Sequence, residues 1–272
     1  MTARTNAGRR VERRGRAWFI GRGPDLAAKG HDAMKLFVLT GAGCSAESGL
    51  GTFRDKEGAW ARFDPMKLAT PEGFADDPDL VHAFYNARRG NLLTAMPNEA
   101  HRALARLEAE LAARGGALFL CTQNIDDLHE RAGSRSVAHM HGELRKARCL
   151  ACGAVTAWDD DLGRNDTCPA CGETGGLRPH IVWFGEMPLY MAEIQDALEE
   201  ADLFVAIGTS GSVYPAAGFV GQARHMGIRT CEINLEPSDN AGLFDERYYG
   251  AATEAVPAWV ERVLTGPDAL VR

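Results

Sequence analysis

At 272 residues the chain has room for one large domain, or for a large and a small one. With 45% hydrophobic and 25% charged residues it has the ordinary balance of a globular protein, and it contains no apolar run near the ~18 residues that a membrane helix requires. The formal charge is -7, and it is uneven: residues 1–34 carry eight Lys/Arg against three Asp/Glu, leaving -12 on the remainder, a sign that argues against nucleic acid as the main partner and suits lysine-rich protein surfaces.

The first segment, residues 1–34, holds Arg9, Arg10, Arg13, Arg14 and Arg16 with almost no apolar periodicity. It reads as a basic, disordered tail. An Arg-rich presequence of mitochondrial type and translation from Met34 are the other readings its composition leaves open. A buried strand is predicted at Leu36–Thr40, followed by the glycine-rich turn Gly41-Ala42-Gly43-Cys44-Ser45-Ala46. Residues 55–97 contain helices, including Pro78–Gly90, and no convincing strand. A helix capped by Asn98 places Leu104, Leu107 and Leu111 on one stripe and stops at Gly115-Gly116. Further strands are predicted at Ala117–Thr122, Leu203–Ile207 and Thr230–Asn234, with helices at Tyr190–Glu200 and Pro215–Met226 between them. Strands without polar alternation, separated by helices, point to a doubly wound α/β domain with a parallel sheet covered on both faces.

Residues 146–178 break that rhythm. They carry Cys149-x2-Cys152, then fifteen residues, then Cys168-x2-Cys171, a spacing that fits a tetrahedral four-thiolate zinc site. Four thiolates leave no open position for water, so the metal is structural. Asp159, Asp160, Asp161 and Asp166 between the pairs would repel phosphates. With no apolar core for a secretory signal, the seven cysteines indicate a reducing, cytoplasmic setting rather than a disulfide framework.

The chemistry-bearing motifs sit at predicted strand ends. Glycines at a strand-to-helix turn let backbone N–H groups approach a pyrophosphate. This turn departs from the usual dinucleotide fingerprint, because Ala46 replaces the third glycine and no acidic residue ends a second strand some twenty residues on. The chain instead continues through Glu47-Ser48-Gly49-Leu50-Gly51-Thr52-Phe53-Arg54, which has the makings of a flap over a cofactor. Gln123-Asn124-Ile125-Asp126 follows the second strand, where amides and a carboxylate suit a ribose or a water, or else cap a helix. His139-Met140-His141-Gly142 precedes the cysteine module, where imidazole is suited to general-base work. Gly208-Thr209-Ser210 and Asn234-Leu235-Glu236 follow later strands, and the Glu236 carboxylate is placed to bind ribose hydroxyls.

Taken in order, GAGCSAESGLGTFR, QNID, the His141-Gly142 pair, the two cysteine pairs, GTS and NLE resemble the sirtuin family, over about residues 35–265. The resemblance implies a Rossmann-type large domain (residues 35–54, 98–145 and 179–268). It also implies a small domain made of a helical module (55–97) and a zinc ribbon (146–178). The implied activity is NAD-dependent lysine deacylation, yielding nicotinamide, free lysine and O-acyl-ADP-ribose. Carried over by motif, Gly41, Ala42, Gly43, Ser45, Ala46, Glu47, Phe53, Arg54 and Trp60 belong to the cofactor loop. Gln123, Asn124, Ile125 and Asp126 line the nicotinamide and ribose pocket, with Asn124 and Asp126 taking part in catalysis and His141 as general base. Gly208, Thr209, Ser210, Asn234, Leu235, Glu236 and Ala252 hold the adenosine half. Gly51 and Asp55 depart from the commonest family wording, which puts proline and glycine there.

Val182-Trp183-Phe184-Gly185-Glu186 resembles the family loop that takes an acylated-lysine peptide by strand addition, with Val182 and Phe184 as substrate contacts. Tyr85-Asn86-Ala87-Arg88 resembles the Tyr-x-x-Arg signature of the class III branch, which includes bacterial CobB-like enzymes. Residues three apart share a helix face, so Tyr85 and Arg88 can meet the carboxylate of a succinyl or malonyl group, while Ala69 leaves the acyl pocket roomy. The competing packing is Tyr85 in the core and Arg88 against surface acids. An ADP-ribosyltransferase on the same scaffold is the alternative activity. No membrane or nucleic-acid partner is expected, and oligomeric state is left open.

Overall fold

The computed structural model describes residues 34–51 and 64–265. The chain begins with β1 (Lys35–Thr40), α1 (Ala42–Ser45) and a 3-10 turn at Ala46–Ser48. After α2 (Pro65–Leu68), α3 (Pro71–Asp76), α4 (Pro78–Thr94) and α5 (Glu99–Ala113) come β2 (Ala117–Thr122), α6 (Leu128–Ala132) and β3 (Val137–His139). Then follow β4 (Gly142–Cys149), β5 (Val155–Ala157), β6 (Leu177–Ile181), α7 (Met191–Glu199), β7 (Leu203–Ile207), α8 (Phe219–His225), β8 (Arg229–Asn234), β9 (Glu246–Tyr249) and α9 (Ala252–Thr265).

Six strands form one sheet in the order β3-β2-β1-β7-β8-β9, every pair parallel. This is the doubly wound arrangement expected from the sequence. Strand order reverses between β1 and β7, and such a switch point leaves a crevice at the strands' carboxyl ends. Alternate strand residues feed the two faces. Val38, Leu120, Val205 and Ile233 pack under α5 and α9, against Leu104, Leu107, Val256 and Val260. Phe37, Leu39, Phe204 and Ala206 pack on the opposite face against α7 and α8, through Ile194, Leu198, Phe219 and Val220. Each fully buried Leu or Phe stabilises the fold by about 1.5–3 kcal/mol.

Helix starts follow local chemistry. Asn98 Oδ1 accepts from the Ala100 and His101 N–H groups, and His101 Nδ1 accepts from the Asn98 N–H, a reciprocal cap. Asp64, Thr70 and Asp77 cap α2, α3 and α4, each with proline at the start of the helix.

The second sheet is antiparallel, in the order β5-β4-β6. The sequence pattern had shown none of its strands, nor β3 and β9. The reason is visible in Leu177–Ile181: all five residues are buried, yet three are Arg178, Pro179 and His180. A register shift between Glu143 and Ala147 carries β4 from the crevice to the cysteine pairs. Helix α4 packs on this sheet through Val81, Phe84, Tyr85 and Leu92 against Leu144, Ile181 and Trp183. Arg89, 1% exposed, fastens the contact by donating to the Leu144 carbonyl at 3.0 Å and the Asp160 carbonyl at 3.3 Å. Among the described residues no helix is long and apolar enough to cross a membrane.

Candidate active site

At the switch point the β1 and β7 turns interlock. The Gly41 N–H donates to the Ile207 carbonyl and the Gly43 N–H to the Gly208 carbonyl, both at 2.9 Å. A Cβ on Gly41 would lie 2.8 Å from the Gly208 oxygen, and one on Gly43 2.8 Å from the Gly208 Cα. These glycines therefore serve the approach of two loops, and their N–H groups face the protein rather than a pyrophosphate. Ala42, the first residue of α1, keeps an N–H with no intrahelical acceptor. Gln123 and Thr209 line one narrow cavity at this end of the sheet, with Leu39, Gly211 and Asn240.

Beneath the turn lies a closed polar network. His101 Nδ1 accepts from the Asn98 N–H, so Nε2 carries the ring proton and donates to Ser45 Oγ at 3.2 Å. Asn124 Nδ2 also donates to Ser45 Oγ, at 3.1 Å, and Ser45 passes its own proton to Asp126 Oδ2 at 3.0 Å. Two bonds accepted and one given saturate the hydroxyl. Asn124 Nδ2 donates as well to the Gly41 carbonyl at 3.1 Å, which leaves its side-chain oxygen as the group it can offer a ligand. Burial pushes the Asp126 carboxyl above the usual carboxylate range, against the bonds from the Leu128 N–H and Ser45. Burial, with the nearby Arg102 charge, takes His101 down to about 4, a neutral ring. His101, His129, Thr40 and Thr122 belong to this network, and the motifs do not single them out. The signal available was a histidine on the apolar stripe of α5 and a threonine closing both β1 and β2.

His141 lies beside this network. Its Nδ1 faces the Gln123 carbonyl at 3.1 Å. A carbonyl only accepts, so Nδ1 holds the proton and Nε2 carries the lone pair. Burial lowers its pKa, and the Gln123 contact offsets this in part. His139 is held differently: Nε2 meets Glu130 Oε1 at 2.6 Å and Nδ1 the Asn124 carbonyl at 3.3 Å. Burial disfavours its charge, yet Glu130 raises its pKa overall.

On α4, Tyr85 is 1% exposed, packed in the core with Leu68, Phe84 and Leu144 as the competing reading has it, and accepts the Trp183 indole N–H at 3.0 Å. Burial lifts its hydroxyl to about 12, against the neighbouring Arg88 charge, so the phenol stays protonated. Arg88 is half-buried and sits 5.6 Å over the Phe84 ring centre. Burial lowers its pKa while Tyr85 and Asp126 raise it, so the guanidinium lies within electrostatic reach of the network below the turn. Ala69 is buried, and its carbonyl accepts the Phe184 N–H at 2.8 Å, while the Val182 N–H is held by the His141 carbonyl at 2.8 Å. The N–H groups of both loop residues are thus engaged within the chain, and their carbonyls are what they can present to an incoming strand. Ile125 packs at the edge of the same cluster.

At the other end of the crevice Asn234 Nδ2 donates to the Thr209 carbonyl at 2.7 Å, and Ser210 Oγ lies 2.8 Å from Ser212 Oγ. Leu235 and Glu236 are exposed, and Ala252 begins α9. Gly208 follows β7 with φ +63°. Ala46 is half-buried. The Glu47 carboxylate accepts from the Thr253 N–H at 2.9 Å and hydroxyl at 2.7 Å, tying the turn after β1 to α9. Phe53, Arg54 and Trp60 lie outside the described residues, as do residues 1–33 of the tail.

The four cysteines converge on one another. Their Sγ atoms all lie within 4.8 Å of one another. Each pair sits in a matching knuckle, with the Gly153 N–H bonded to the Cys149 carbonyl and the Gly172 N–H to the Cys168 carbonyl, both at 2.9 Å. Both glycines have positive φ, 75° and 80°, a conformation glycine adopts without strain. The donor set fits one structural Zn2+. Cys44, His101 and His129 also approach one another within 4.8 Å, but burial keeps the Cys44 thiol protonated and both rings are engaged in the network above.

The Sir2 family model matches residues 41–215. A protein named NAD-dependent protein deacylase from Caulobacter vibrioides is 67% identical over 231 residues, covering 85% of this chain and 97% of that relative. One of the same name from Escherichia coli K12 is 55% identical over 234 residues, covering 85% of this chain and 83% of that relative. Among solved structures, a Sir2 homologue in complex with NAD superposes with a TM-score of 0.75 at 39% identity, over 85% of this chain and 90% of that one. The chain belongs to the Sir2 family.

Proposed function

We propose that this chain is an NAD-dependent protein lysine deacylase acting on acetyl-lysine and on acyl groups that end in a carboxylate, succinyl and malonyl. The coarse activity is supported by the names of relatives 53–67% identical to it. The observation that carries it at the site is His141, whose Nδ1 bond to the Gln123 carbonyl leaves the lone pair on Nε2 of a half-buried imidazole, held by the same loop that carries Asn124 and Asp126.

NAD, when bound, supplies the ribose carbon that takes the acyl oxygen and the nicotinamide that leaves. The chain's own groups then do ordinary work. The Ala42 N–H and the β7 and β8 turns, with Thr209, Ser210, Asn234 and Glu236, hold the dinucleotide; the Asn124 side-chain oxygen accepts from a ribose hydroxyl or a water; His141 Nε2 takes a hydroxyl proton. An amide oxygen is a weak nucleophile, so positioning in a dry slot supplies much of the acceleration. Val182 and Phe184 offer their carbonyls to the peptide N–H groups of an acylated protein.

The acidic-acyl preference rests on Arg88 beside Tyr85. A guanidinium and a phenolic proton match a terminal carboxylate, and a small Ala69 leaves it space. The four-cysteine zinc holds the ribbon against which α4 is braced. The unpaired thiols of Cys44, Cys121 and Cys231 support a reducing, cytoplasmic setting.

The test is a mass-spectrometric rate comparison on acetyl-, succinyl- and malonyl-lysine peptides with and without NAD. Deacylation matched mole for mole by free nicotinamide is expected. ADP-ribose appearing on protein in its place would establish the transferase alternative.

A further inference from the structure

Strand β6 buries an arginine, and a guanidinium out of water is tolerated only where its donors are paired. Arg178, 4% exposed, donates to both oxygens of Glu186, at 2.7 and 3.0 Å, and to the Ile181 carbonyl at 2.6 Å. Its guanidinium carbon lies 3.4 Å from the centre of the Trp183 ring, close stacking on an aromatic face. Glu186 returns the contact, because its Oε2 accepts the Trp183 backbone N–H at 2.8 Å. The turn from Trp183 to Glu186 is closed by the Glu186 N–H on the Trp183 carbonyl at 3.0 Å. Trp183 is therefore fixed at its backbone by Glu186 and at its ring by Arg178.

An indole has one donor and no rotatable proton. Once the ring is fixed, so is the direction of its N–H, which meets the Tyr85 oxygen at 3.0 Å. Tyr85 is 1% exposed and its hydroxyl has one proton. With the indole N–H occupying one side of the oxygen, the phenolic proton must point elsewhere, and Arg88 flanks Tyr85 one turn along α4.

We propose that Arg178 is a positioning residue for acyl-group selection: by seating the Trp183 indole on the Tyr85 oxygen, it aims the Tyr85 proton at the terminal carboxylate of an acidic acyl chain. The inference rests on the acidic-acyl reading of Tyr85 and Arg88 given above.

The experiment compares kcat/KM for succinyl- and acetyl-lysine peptides in the full chain and its variants. Trp183→Phe removes the donor while keeping an aromatic ring. It should lower the succinyl-to-acetyl ratio by about fivefold, the scale of one misdirected hydrogen bond, mainly through a higher KM for the succinyl peptide. Arg178→Met should shift the ratio the same way, with Arg178→Lys intermediate. In a Tyr85→Phe background, Trp183→Phe should leave the ratio where Tyr85→Phe alone sets it. If Arg178→Met loses zinc or fails to fold, the Trp183→Phe and Tyr85→Phe cycle decides alone. A collapse of the ratio in Arg88→Met together with an unchanged ratio in Trp183→Phe would keep the acidic pocket and overturn the role of Arg178. Equal losses on both peptides in Trp183→Phe would also overturn it. A wild-type chain without succinyl preference would remove the pocket reading first, and this inference with it.

Discussion

His139 and His141 have their pKa values shifted in opposite directions, although they sit two residues apart. His139 faces two acceptors, Glu130 Oε1 and the Asn124 carbonyl, which favours the doubly protonated ring. His141 faces one, the Gln123 carbonyl, and burial favours its neutral form. The Glu130 carboxylate stabilises the charged form of one ring; burial stabilises the neutral form of the other.

The pH dependence of turnover follows from the second ring. A base with a lowered pKa stays competent until pH falls through that value. The acid limb of kcat/KM should therefore have its midpoint below ~6.5, the ordinary histidine value. His141→Ala should remove turnover and leave NAD binding by calorimetry within a few-fold. An acid limb centred above 7, or normal turnover in His141→Ala, would take this ring out of the chemistry.

The first ring makes a stability prediction with the opposite pH sense. The folded pKa of His139 is raised. Its contribution is complete below ~6.5 and is lost as pH rises through the folded value. Glu130→Gln removes the charge that raises it but keeps an acceptor. The variant should lose about 1–2 kcal/mol in urea unfolding at pH 6, and much less at pH 9. Equal losses at both pH values would mean that His139 is neutral throughout.

The four inner strands β2, β1, β7 and β8 were legible because they are mostly buried: Leu203–Ile207 is buried at every position and has one reading, whereas the edge strand Glu246–Tyr249 alternates and does not. The small sheet was not, because Leu177–Ile181 reaches the same burial with Arg178, Pro179 and His180. The burial of Arg178 is made tolerable by its pairing with Glu186, a partner outside the strand. The same limit applies to the candidate site. Spacing places Tyr85 and Arg88 on one face of α4, but that Tyr85 meets Trp183, 98 positions away, is a tertiary fact. The motif alone predicts glycine N–H groups open to phosphate, whereas the Gly43 N–H is taken by another turn glycine, Gly208. That contact depends on β1 and β7 being neighbours.

Zinc removal should act on acyl recognition through α4. Asn86 donates to the Leu162 carbonyl at 3.0 Å and accepts the Leu162 N–H at 2.9 Å, while Arg89 reaches the Asp160 carbonyl. Both partners lie between the cysteine pairs. Cys168→Ser should lose the metal, whose binding supplies on the order of 10 kcal/mol of folding energy in small zinc domains. Protease cleavage should then appear within residues 150–176, and turnover should fall more than NAD affinity. A stable, metal-free, fully active variant would refute a structural zinc site.

Arg88→Met keeps the side chain's length and removes its charge. A succinyl carboxylate would then be buried with the Tyr85 proton alone. Leaving a buried charge short of a partner costs about 3 kcal/mol, so desuccinylation should fall by roughly a hundredfold. Deacetylation, which brings no carboxylate, should fall far less. Similar losses on both peptides would mean that Arg88 supports the fold of the slot and does not select the acyl group.

The interlocked turns give the sharpest steric test. Gly208 has φ +63°, where a side chain costs about 1–2 kcal/mol, and a Cβ there would lie 2.6 Å from the Gly43 carbonyl carbon and 2.8 Å from its Cα. Backbone cannot yield as a flexible side chain does, so overpacking adds about 1–3 kcal/mol. Gly208→Ala should therefore lower stability by about 2–5 kcal/mol in urea and weaken NAD binding, because the β1 and β7 turns would separate where strand order reverses. Gly227, which also has positive φ but no atom within 4 Å of an added Cβ, supplies the control. Gly227→Ala should show the conformational cost without the loss of NAD affinity. If the two variants lose stability and affinity alike, close approach of the turns is not what holds the crevice open.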